Sequence, residues 1–147
     1  MSATRRYART MIQLDDVLAR AVDGALPLLT LDEFFPGNEE EGSLAPNQWG
    51  YGRPSLAEIA DRLRSIESHD DVDWVRVQLH DETVEGSDLV LAEAVAVCTS
   101  LDTDELTDLA DTEWLESDGV VDGYVVDNLV DAPAVPAGSR VLSIVWD

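Results

Sequence analysis

Apolar residues recur along the chain with two different periods, and the switches between them mark the elements. From Leu14 they return at Val17, Leu18 and Ala21, which predicts a short helix ending near Gly24. ALPLLTL at 25–31 reads as an edge strand, because Pro27 has no N–H to give to a central ladder. The next clear helix starts at Ser55, where Glu58 has capping-box spacing. Leu56, Ile59, Ala60, Leu63 and Ile66 form its apolar face, and it ends around Glu67 to His69.

In VDWVRVQLHD the period drops to two. Val75, Val77 and Leu79 should face a core, whereas Trp74, Arg76, Gln78 and His80 should face a more open surface. LVLAEAVAVCTS is nearly continuous in apolar residues and suits a central strand, with Cys98 as a small core residue. LDTDELTDLADTEWL predicts a second helix, capped by Asp102 with Glu105, with Leu106, Leu109, Ala110 and Trp114 as its buried stripe. GVVDGYVV forms either a short strand or an extended loop, and SRVLSIVWD closes the chain as a strand.

These elements predict an α+β domain: an antiparallel sheet with two helices on one face, in the βαββαβ order of a ferredoxin-like (split βαβ) layer. Residues 1–24 read as a basic extension with a short helix, and 25–147 as one domain. A long loop after the first strand interrupts the pattern. Residues 36–54 hold four glycines, three prolines and two asparagines, more than an ordinary connection needs.

Charge alters the picture. Thirty-one acids face nine arginines with no lysine, a net charge of −22. Sixteen of those acids lie between Arg76 and Arg140, where there is no lysine or arginine. Such a chain is repelled by nucleic-acid phosphates and anionic lipid and complements a basic partner. The same acidity also follows from genomic composition or a salty cytoplasm. No apolar run approaches the roughly 20 residues of a membrane span, and the start is a poor match to a secretory signal, so a cytoplasmic location is expected.

Reactive chemistry finds little support. A single cysteine excludes an internal disulfide. His69 and His80 bracket one strand and stand about 25 Å apart, too far to share an ion. GNEEEGS lacks the ligand order of a calcium loop, and no phosphate-binding fingerprint occurs. No cofactor, metal site or catalytic residue is therefore assigned. The expectation is a non-enzymatic acidic protein-binding domain. The alternatives are a small metal- or metabolite-dependent enzyme and a self-associating structural domain.

An interaction surface would draw on Glu39, Glu40 and Glu41, on Trp49 and Tyr51 in NQWGYG, and on Trp74 and Arg76. Trp49 and Tyr51 serve either as interface anchors or as a lid folded over the sheet. Trp74 and Trp146 are either covered by a helix or exposed. Leu31, Phe34 and Phe35 read as a helical turn plugged into the core and ended by Pro36 and Gly37, with Asn38 capping it and Glu39–Glu41 left in water.

LLTLDEFFPGNEEEGSLAPN, PSLAEIADRLRSI, DVDWVRVQLHDE and the final SIVWD together resemble a group of small, acidic, uncharacterised bacterial cytosolic proteins. These carry a Leu-x-x-Phe-Phe-x-Gly-Asn stretch and a Trp-Asp end. The matching positions are Leu31, Phe34, Phe35, Gly37 and Asn38, then Ser43 and Asn47, and finally Trp146 and Asp147. The likeness covers residues 26–147 and implies no activity. In size and acidity the chain is also similar to immunity proteins, which implies a basic toxin as partner.

Overall fold

The computed structural model describes residues 11–44, 53–80, 90–126 and 129–146. Four strands form one antiparallel sheet: β2 (Val72–Leu79), β3 (Ala92–Thr99), β6 (Arg140–Val145) and β4 (Gly119–Asp122), in the spatial order β2-β3-β6-β4. A separate parallel pair joins β1 (Leu26–Pro27) to β5 (Leu129–Val130). The fold is thus α+β with an antiparallel sheet. Its strand order differs from that of a split βαβ layer, because β1 stays outside the main sheet, with an isolated bridge from the nearby Leu29 to Val77 of β2.

The predicted strand over 25–31 stops early for a local reason. Thr30 Oγ1 accepts a hydrogen bond from the Glu33 N–H at 3.1 Å, and the Glu33 carboxylate accepts one from the Thr30 N–H at 2.9 Å. This capping box starts helix α2 (Leu31–Phe34) where the strand would have continued. Ahead of these lies α1 (Leu14–Arg20), whose Val17 belongs to the main core cluster.

Helix α3 (Leu56–Glu67) forms as its pattern demands, with Ser55 and Glu58 closing a capping box and all five apolar-face residues buried. The second predicted helix breaks in two. After α4 (Thr103–Ala110), Asp111 adopts a left-handed conformation (φ 56°), and its carboxylate accepts the Trp114 N–H at 3.3 Å to start α5 (Thr112–Leu115). The break turns Leu115 into the core and leaves Trp114 37% exposed, so Leu115 replaces Trp114 in the buried stripe.

One sheet face packs on the helices. Val75, Val77, Val95, Val97, Leu142 and Ile144 join the apolar faces of α3 and α4 in a single cluster. Trp146 belongs to it as well, with its indole N–H donating to the Leu115 carbonyl at 3.0 Å. No helix among the described residues is long and apolar enough to cross a membrane.

The second face is not open as expected. Ala94, Ala96, Cys98 and Ser143 are small, so described backbone between Gly123 and Ser139 lies close over the sheet. The Trp74 indole N–H donates to the Ala134 carbonyl at 3.0 Å, and Ser139 Oγ donates to the Asp73 carboxylate. Gln78 is fully buried: its amide donates to Ser143 Oγ at 2.7 Å and accepts the Val125 N–H at 2.9 Å. Ser143 Oγ in turn donates to the Gly123 carbonyl at 2.6 Å. Coil rather than a helix therefore covers Trp74, while Arg76 and His80 stay half-buried.

Two outcomes follow from this face. Gln78→Leu strands the Val125 N–H and should cost about 1–3 kcal/mol in urea unfolding, with the fold retained. Burial, then the Asp73 carboxylate, push the Cys98 thiol up to about 11 from an ordinary 9.0. The folded thiol keeps its proton where the unfolded one loses it, so this group's contribution to stability falls as pH rises from 9 to 11. Cys98→Ala should flatten that slope in chemical unfolding. The native thiol should also react with an aromatic disulfide reagent far more slowly than the denatured chain at pH 8.

Candidate functional site

The Phe-Phe turn is rigid from the residues upward. Phe34 is fully buried, and Phe35 meets it edge-on, with ring centroids 5.0 Å apart and planes at 86°. Gly37 takes a φ of 74°, a conformation open to glycine, and lets the chain double back after Pro36. Asn38 then bolts the return. Its amide donates to the Phe34 carbonyl at 3.2 Å and to Ser43 Oγ at 2.9 Å, and its oxygen accepts the Glu40 N–H at 3.0 Å.

The three glutamates that follow have different fates. Glu39 and Glu40 are exposed, as expected. Glu41 is not simply solvated: its carboxylate accepts the Leu56 N–H at 3.0 Å and its carbonyl accepts a bond from Arg53. It ties the loop to the N-terminus of α3, where a carboxylate also suits the helix dipole. Burial lowers the Arg53 guanidinium pKa, and the Glu41 charge opposes that shift.

Between this turn and α3 lies a groove of about 500 Å³. Phe35, Pro36, Leu56, Ala57 and Ala60 give it apolar walls, and Glu39, Asp61 and Arg64 stand at its rim. Arg64 pairs with Asp32 at 3.1 Å and so pins α2 to α3. Glu39 and Asp61 make no ion pair among the described residues.

Asp61 also borders a shallow depression with Glu58, Arg62, Ser65 and Trp114. There the Arg62 guanidinium sits 4.5 Å from the Trp114 ring centroid and donates to the Ala110 carbonyl at 2.9 Å, satisfying the end of α4. Beyond it, all eight acids from Asp102 to Asp118 are exposed, and no basic residue lies within that stretch.

The model of a family described as the uncharacterised protein YfbO family matches residues 10–144. The chain belongs to this family. No curated protein and no solved structure matches it. The YfbO match spans α1 through most of β6 and so takes in both walls of the groove.

Of the residues expected to interact, Glu39 and Glu40 border the groove or its loop, and Trp49 and Tyr51 lie outside the described residues. Trp74 and Arg76 stand apart from them on β2. Trp74 is 8% exposed, and Arg76 approaches its ring at 5.7 Å. Burial raises the Glu67 carboxyl pKa, and the Arg76 charge pulls it back down. Ala57, Asp61, Arg62 and Trp114 were absent from the expected surface. Asp61 and Arg62 look like any solvated helix positions in sequence, and an unbroken helical count from Asp102 puts Trp114 on the core side. Asn38→Ala should cost about 1–2 kcal/mol in thermal or urea unfolding and loosen the Pro36–Ser43 turn, seen as faster amide exchange there.

Proposed function

We propose that this YfbO-family chain is a non-enzymatic acidic domain that binds a basic protein, an immunity protein neutralising a basic toxin being its most concrete form. One observation carries the reading: the eight exposed carboxylates that α4, α5 and their flanks present from Asp102 to Asp118, a stretch with no basic residue of its own. Like charges held on a folded scaffold raise the local potential and steer a cationic partner, accelerating encounter by about 10-fold or more at low salt. Fixed helix ends make the charge array a shape as well as a net charge. Asp102 and Asp111 are held by their capping bonds, which orient the acids between them.

The test compares capture of a basic protein by the full chain and by Asp104→Asn/Asp108→Asn/Glu113→Gln, none of which caps a helix. A basic protein should be retained stoichiometrically by the parent at low salt, and released by high salt or by the triple substitution. If the parent retains no basic protein beyond what the triple variant retains, the reading fails. Co-expression of the captured protein with and without this chain then asks whether binding neutralises a toxic activity.

A further inference from the structure

Resting on that reading, we propose that the groove between the Phe-Phe turn and α3 receives an apolar side chain from a lysine- or arginine-flanked segment of the basic partner. The groove has the composition of an anchor pocket: an aromatic edge at Phe35, the Pro36 ring, and the small Ala57 and Ala60 of α3, which leave room for an incoming side chain. Its volume of about 500 Å³ holds a large aliphatic or aromatic side chain with part of its neighbours.

Charge selects the occupant. Glu39 and Asp61 stand at the rim without ion-pair partners among the described residues, and Arg64 is already paired with Asp32. An incoming cation flanking the anchor therefore meets open carboxylates. A second copy of this chain would bring its own charge of −22 to the same rim, which opposes self-docking.

Continuity supports the same assignment. Asp61 belongs both to the groove and to the depression beside Trp114, and that depression leads to the acidic surface of α4 and α5. One partner segment can thus be steered by the acids and anchored in the groove. The walls are held for this purpose before any partner arrives: Asn38 fixes the turn, Arg64–Asp32 joins it to α3, and Glu41 holds the first turn of α3. A preformed pocket loses little entropy on binding.

The experiment uses the full chain and two labelled synthetic peptides, one with a Leu-Phe centre flanked by lysines and one with that centre replaced by Ser-Ser. Anisotropy reads affinity, and backbone amide shifts read location. The Leu-Phe peptide should bind about 10-fold or more tightly than the Ser-Ser peptide, from burial of the apolar side chains. It should also shift amides at Phe35–Asn38 and Ala57–Arg64. Ala57→Trp, at an exposed position that leaves the core intact, should fill the groove and bring the Leu-Phe peptide down to the affinity of the Ser-Ser peptide. Binding of the Ser-Ser peptide should be unchanged. Asp61→Asn should weaken both.

Equal affinity of the two peptides, with shifts confined to α4 and α5, overturns the groove proposal and leaves the basic-partner reading standing. Failure of both peptides to bind overturns both. Concentration-dependent shifts of the groove amides in the peptide-free protein would make a second copy the occupant and overturn the proposal.

Discussion

Strand β3 is buried on both faces, and that double burial sets the task for everything around it. From Ala94 to Thr99 every residue is buried, although successive side chains point to opposite sides of the sheet. A strand like this needs a cover on each face. On one side α3 and α4 supply it with Leu, Ile and Ala. On the other, β3 offers Ala94, Ala96 and Cys98, and such small side chains let a covering backbone approach the sheet closely. Coil fits instead, held by the Trp74–Ala134 bond and the Gln78–Ser143–Gly123 relay. A polar network this deep is tolerated because its members bond one another.

That arrangement uses up one sheet face and determines where a binding surface can be. With Trp74 capped by backbone, the outward side of α3 and the loop before it become the accessible relief. The groove exists because the Phe-Phe turn stands beside α3 without filling the space over Ala57 and Ala60. Caps and side-chain braces hold that separation. The Thr30–Glu33 box begins the turn, Asn38 ends it, and Glu41 crosses to α3. Most of the polar residues in this region are therefore engaged in building the walls, while Glu39 and Asp61 face outward.

The charge distribution is lopsided in the same sense. Two ion pairs join described residues, Arg20–Glu33 at 2.9 Å and Arg64–Asp32 at 3.1 Å, and both tie α2 to a neighbouring helix. Exposed pairs of this kind contribute at most about 1 kcal/mol each, so the apolar core carries the stability. Within residues 102–118, which carry α4 and α5, eight acids occur without a basic residue, and Arg62 of α3 reaches the Trp114 ring and the Ala110 carbonyl. Self-repulsion there opposes folding, and a bound cationic surface would relieve it.

Local chemistry by itself determined the strongest elements. The apolar stripe and capping box of α3, the continuous apolar run of β3 and the Pro-Gly stop after Phe35 all act within a few residues, and each is found as read, whereas β2 forms a strand whose expected open face is covered. The Thr30–Glu33 box was also written in the sequence, but an apolar run across 25–31 concealed it. What only the tertiary structure decided depends on contacts between distant residues. Strand order is set by which edges meet, so β1 joined β5 and stood outside the main sheet. Trp74 was buried by backbone sixty residues away, and Trp114 was turned outward when Asp111 entered a left-handed conformation to bring Leu115 inward. The groove arises in the same way: Phe35 and Ala57 are ordinary residues in the sequence, and they become a pocket once folding sets them face to face.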